Sequence, residues 1–207
     1  MVSNKKYLLP SSYMAPIGYF AVLLQHPNCV IEQYDFFRKQ TIRNRCYILG
    51  ANGKLILSIP RKRKSSSKTI LKDIQISYDS PWQKQHWKSI TSAYRSSAYF
   101  EYYENLFIPL YQKNEKFLVD FNCKLQETIF NCLQIDDSST LSTSYKKRTE
   151  NIDLRDYLFK IQRQEKYQQV FEASCGFITN LSIIDLLFNL GPESRDYLHH
   201  LDISVQI

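Results

Sequence analysis

The chain lacks the cysteine spacing that would tie it to a metal or to a disulfide scaffold. Its five cysteines (Cys29, Cys46, Cys123, Cys132 and Cys175) are odd in number, scattered, and include no C-x-x-C pair. That excludes a zinc ribbon and gives no disulfide framework. Glycine is scarce, at five residues in 207, and no glycine-rich phosphate loop, G-x-S-x-G elbow or paired metal-ligand motif occurs. No apolar stretch approaches a bilayer span, and Met1 to Pro10 carries two lysines but no apolar signal core. No internal repeat is found. These absences predict a reduced, cytoplasmic protein with no membrane span, no metal and no resident cofactor.

What is present is an ordinary globular composition with unevenly placed charge. Hydrophobic residues make up 43% and charged residues 23%, enough to bury a core without staples, so one domain over 1–207 is expected. Through Lys72 there are 13 Lys and Arg against 2 Asp and Glu, although the whole chain has 27 against 20. The remainder is therefore acidic. Such asymmetry implies that the first third meets an anion, the rest of the protein, or both.

Local patterns predict a mixed α/β (α+β) fold: N-terminal strands with a β-hairpin, then a mainly helical C-terminal half. Tyr7 to Leu9 and Cys29 to Gln33 read as strands, and Ile17 to Gln25 as a buried helix or packed loop. Ile42–Leu49 and Lys54–Ile59 flank Gly50-Ala51-Asn52-Gly53, a turn whose Asn-Gly supplies positive φ. Alternation then puts Arg43, Arg45 and Tyr47 on one strand face and Asn44, Cys46 and Ile48 on the other. Arg61 to Lys68 reads as an exposed basic loop and Ile70 to Ile76 as a strand. Helices are predicted from Ser80-Pro81-Trp82 to Tyr94, over Tyr99–Leu110 and over Glu115–Leu133. Residues 138–149 read as a linker or mobile loop, and Ile152–Ile161 fits no single template. Ser182 and Asp185 suggest a short-armed capping box for a helix ending at Gly191-Pro192.

Three stretches carry a family likeness. Tyr13 to Phe20, with Pro16 and Gly18-Tyr19-Phe20, is one. The basic segment Arg38-Lys39-Gln40 with Arg43-Asn44-Arg45 is another. The third is Trp82-x-x-x-His86 with Ile90, Ala93, Tyr94, Tyr99 and Phe100, joined by Gly176-Phe177 and Asn180 through Ser194 near the end. In order and spacing these resemble the WbqC-like family, in the form seen in Bacteroidetes-type members. The chain departs from the family in carrying Ser11-Ser12 where Gln-Pro is usual. The resemblance implies a setting in O-antigen or other surface-polysaccharide biosynthesis.

The candidate ligand-binding residues are Arg38, Arg43 and Arg45, since guanidinium grips phosphate bidentately as Lys cannot. A nucleotide-sugar diphosphate is one anion that would suit them; pairing with acidic residues of the helical half is the rival reading. Asn44 and Tyr13 are assigned to orienting the ligand. His86, between Trp82 and Trp87, is the candidate catalytic acid–base group because its ordinary pKa lies near neutrality. If the protein is an enzyme, transfer of a group onto a nucleotide-linked amino sugar is the reaction that fits. A non-catalytic module docking an acidic partner is one alternative and a nucleic-acid-binding module another. The second is disfavoured because the basic run has no interleaved aromatics.

Overall fold

A computed structural model describes residues 6–62, 68–147, 151–157, 159 and 161–203. Most of the predicted basic loop, 63–67, lies outside the described residues, as does 148–150 at the end of the predicted linker.

The chain opens with β1 (Tyr7–Pro10), α1 (Ile17–Gln25) and β2 (Val30–Glu32). β1 and β2 pair in parallel, Leu8 opposite Val30, with α1 as the crossover that parallel strands require. A hairpin follows, β3 (Arg45–Gly50) and β4 (Gly53–Ser58). Its positive φ, 102°, falls on Gly53. Three helices come next: α2 (Trp82–Tyr94), α3 (Phe100–Gln112) and α4 (Leu118–Leu133). The last third adds β5 (Thr140–Leu141), β6 (Ile152–Asp153), β7 (Ile161–Arg163), α5 (Glu172–Cys175), α6 (Ile183–Leu190), α7 (Ser194–His200) and β8 (Asp202–Ile203).

The central sheet has strand order β5-β2-β1-β6, with every pairing parallel. Thr140 and Leu141 thus form an edge strand inside a stretch expected to be linker. β5 joins the sheet by backbone pairing, Thr140 N–H donating to the Cys29 carbonyl at 3.0 Å and Ser142 N–H to Ile31 at 3.0 Å, and Ser142 Oγ adds a hydrogen bond to Glu32 at 2.8 Å. β2 is buried at every residue, as befits a parallel strand covered on both faces.

Four local expectations need correction. The strand over Ile70–Ile76 is instead a 3₁₀ turn, Leu71–Asp73, with isolated bridges at Ile70, Gln75 and Ile76. Its amides are claimed by separate loops, Leu71 by the Asp35 carbonyl and Ile76 by Lys116. α2 takes Pro81, not Ser80, as its N-cap. The hairpin begins at Arg45, so Arg43 precedes the strand and strand alternation does not place it. Finally, no capping box forms at α6. Ser182 Oγ donates to the Met14 carbonyl at 2.8 Å, and Asp185 turns into the core.

There the Asp185 carboxylate accepts hydrogen bonds from Tyr94 Oη (2.9 Å), Tyr167 Oη (2.5 Å) and Gln169 Nε2 (2.9 Å). Three donors make burial of a carboxylate tolerable. Around it Tyr94, Phe100 and Phe107 meet the Phe188 ring edge-on at 5.2–5.6 Å. Fully burying each such ring contributes about 1.5–3 kcal/mol, so this seam ties α2 and α3 to α6.

Candidate functional site

The loop leaving β2 makes a tight turn before the hairpin. Gln40 takes a positive φ of 61°, Thr41 Oγ1 donates to the Arg38 carbonyl at 2.9 Å, and the amides of Asn44 and Arg45 both return to the Thr41 carbonyl. The turn sends Arg38 outward and Arg43 inward. Both line a cleft of about 510 Å³, whose wall is completed by Tyr47 and Lys54 of the hairpin, Asp156 and Tyr157 after β6, and Asn180.

Arg43 is 2% exposed at the floor of this cleft. Its Nη2 donates to the Arg155 carbonyl at 3.2 Å, and its Nη1 reaches Thr41 Oγ1 at 3.4 Å. The nearest carboxylate oxygens, from Asp35 and Asp156, stand at 3.8 and 3.9 Å. Neither distance closes a hydrogen bond, and Nε has no partner at all. Burial pulls the guanidinium pKa down, and the two carboxylates only partly restore it. Arg38 pairs with Asp156 at 2.7 Å but is about half exposed, so solvent screens that pair heavily. Lys54 lies 4.3 Å over the Tyr47 ring.

Arg155 also borders the cleft, with its side chain wholly covered. It grips Asp153 with two parallel bonds, 2.8 and 3.0 Å, and lies 3.9 Å from Glu32. Burial acts to lower its pKa, yet the Asp153 contact wins and holds it above the ordinary value.

The N-terminus of α1 adds no free donor. Ile17 N–H goes to the Leu181 carbonyl, Gly18 N–H to Asn180 Oδ1 at 2.9 Å, and Tyr19 N–H to Pro16. Gly18 must be glycine, because a Cβ there would lie 2.6 Å from the Phe159 carbonyl oxygen. The α1 N-terminus therefore offers nothing to an anion in the cleft.

The other predicted site residues lie elsewhere. Asn44 Nδ2 donates to the Ile59 carbonyl at 3.0 Å and pins the base of the hairpin, where half-buried Arg45 sits opposite Ser58. Tyr13 is fully buried; its hydroxyl meets His86 Nδ1 at 2.9 Å and Tyr111 Oη at 2.8 Å. His86 is 7% exposed, and burial drops its pKa to about 4, opposed by a hydrogen bond to the Ser58 backbone. The imidazole is thus neutral: Tyr13 donates to Nδ1, and Tyr111 donates in turn to Tyr13. His86 lies outside the arginine cleft. Trp82, His86, Ile90 and Tyr94 make one buried stripe of α2, which turns the ring into the core. Ser11 and Ser12 are also committed. Ser11 Oγ accepts from Asn122 at 3.1 Å, and Ser12 Oγ donates to the Ile42 carbonyl at 3.0 Å.

Sequence reading missed Tyr47, Lys54, Asp156, Tyr157 and Asn180. Tyr47 and Lys54 were within reach, since they sit on the predicted hairpin beside the arginines. Asp156, Tyr157 and Asn180 come from distant segments with no periodic signal. Among the described residues no cluster of His, Cys, Asp and Glu is placed to hold a metal ion, and no helix is long and apolar enough to cross a membrane.

Residues 11–169 and 157–197 match the WbqC-like protein family. An uncharacterised protein of Mycobacterium tuberculosis is 24% identical over 231 residues, covering 95% of this chain and 98% of that protein. No solved structure matches.

Proposed function

Since the chain belongs to the WbqC-like protein family, we propose that its arginine cleft binds a phosphate-bearing, nucleotide-linked sugar in the cytoplasm, in the service of surface-polysaccharide (O-antigen) biosynthesis. One observation carries the binding half of this reading. Arg43 lies on the cleft floor with Nε unpartnered and both neighbouring carboxylates beyond hydrogen-bond reach. A buried donor of this kind costs about 1–3 kcal/mol while it stays unmade, and a phosphate oxygen would satisfy it. Arg38 and Lys54 stand at the walls to take further anionic oxygens, and Tyr47 and Tyr157 offer rings for a base or sugar. If a group is transferred onto the sugar, the cleft would act by positioning and by charge stabilisation. His86 has no part in that step.

The rival is a purely structural Arg43, favoured by its two flanking carboxylates. Thermal-shift titration with a UDP-sugar and a dTDP-sugar, the sugar-free nucleotides and short oligonucleotides separates the two. The expected result is stabilisation by nucleotide sugar, weakened about tenfold in affinity by Arg38→Ala, the loss of one charge-assisted contact. An equal response to every polyanion reduces the cleft to electrostatics. No response to any of them removes the proposal.

A further inference from the structure

A second hollow, separate in its lining from the arginine cleft, lies between the start of α2 and the end of α3. It measures about 670 Å³, within the range of small-molecule sites. Three rings line it: Tyr78, Trp87 and Tyr111. Each is held in place from behind. Trp87 lies nearly parallel to Phe100, with centroids 6.1 Å apart and planes 25° apart, and 5.6 Å from Tyr111. Tyr111 is 6% exposed and commits its hydroxyl inward to Tyr13, so it offers the hollow ring carbon. Tyr78 commits its hydroxyl to the Glu115 carbonyl at 2.8 Å.

Beside the rings stand three carboxamides: Gln83, Gln112 and Asn114. Gln83 Nε2 donates to the Lys113 carbonyl at 2.6 Å, which fixes the amide and leaves its oxygen as an acceptor. Gln112 and Asn114 are exposed at the mouth. Each carboxamide can donate and accept at once, the pairing that neighbouring hydroxyl groups require. Lys84 is the single charged side chain in the lining. That is too little for a nucleotide phosphate, and the amides are too many for an acyl chain.

We infer that this hollow is a binding site for a neutral pyranose ring. The apolar C–H face of the sugar would lie against the fixed aromatic wall, and its hydroxyl edge would meet the carboxamides. The inference does not depend on the anionic ligand proposed for the arginine cleft.

The chain has two tryptophans. Trp87 lines the hollow, and Trp82 lies 6.4 Å from Tyr111, so intrinsic fluorescence reports on this site. The test titrates the full chain with methyl glycosides of glucose, galactose, mannose and N-acetylglucosamine, with proline-rich peptide and benzoate as controls. A saturable emission shift with at least one glycoside is expected. It should weaken about tenfold in the Gln112→Ala/Asn114→Ala double variant, which removes two surface amides and leaves the core intact. Arg38→Ala should leave the shift unchanged. The inference is overturned if no glycoside gives a saturable shift, if the double variant binds as the wild type does, or if only the peptide or benzoate responds. Loss of nucleotide-sugar binding with the glycoside response intact would count against the arginine cleft alone.

Discussion

Two buried arginines, neighbours in space but 112 positions apart in sequence, have opposite environments. Arg155 meets Asp153 through two short parallel bonds and is held above its ordinary pKa. Arg43 has a carbonyl and a hydroxyl for partners, carboxylates only at 3.8 and 3.9 Å, and a pKa pulled down by burial. Each keeps one buried nitrogen without a hydrogen bond, Nε of Arg43 and Nη1 of Arg155, so the difference lies in the carboxylates: Arg155 is fastened to one at hydrogen-bond distance and Arg43 to none. The Tyr13–His86–Tyr111 chain belongs with Arg155: buried, linked end to end, and sealed from the cleft.

The contrast breaks most visibly at Arg155. Arg155→Met leaves buried Glu32 and partly exposed Asp153 without their cation. Urea unfolding should show a loss of about 3–5 kcal/mol, as for other severed buried pairs. A loss below 1 kcal/mol would show that Arg155 is no fastening.

The next effect is set by pH. His86 has a folded pKa of about 4 against an ordinary 6.5. Between those values the folded protein binds fewer protons than the unfolded chain, so stability present at neutral pH is lost as pH falls through the window. The loss is on the order of 2–3 kcal/mol from pH 7 to 4.5. Denaturant midpoints at the two pH values should differ less in His86→Gln than in the wild type, and equal differences would mean that the imidazole is not neutral in the fold.

The smallest effect on stability sharpens the comparison from the other side. Arg38→Ala breaks an exposed pair and should change stability by no more than about 0.5 kcal/mol. Calorimetry that showed a larger loss would place Arg38 among the structural residues.

Elements with a local signal were legible in the sequence. Ile17–Gln25 folds as a helix over the residues its apolar run marks, Asn52-Gly53 sits at the hairpin turn, and Leu118–Leu133 follows its helical period. Elements defined by distant pairing were not. β5 and β6 are two residues each, too short to show alternation, and exist because β2 and β1 offer free edges. The same limit hid half the cleft. Arg38 and Arg43 were visible as a cationic cluster, whereas Asp156, Tyr157 and Asn180 join them only in three dimensions. His86 misled because the aromatic neighbours that suggested a pocket wall are the packing that excludes water from it.

The strand order β5-β2-β1-β6 also governs how the molecule is made. The two middle strands are translated first, and their flanking partners lie beyond residue 139. On the ribosome, β1 and β2 must wait with bare edges while more than half the chain is still being synthesised, a state open to mispairing with other nascent chains. Formation of the sheet then depends on closing long loops, which places its assembly late and makes it slow relative to the helical middle. A chain cut short before β5 would keep the arginines of the 38–43 turn and the bare edges of β1 and β2, but would lack Asp156 and Tyr157 altogether.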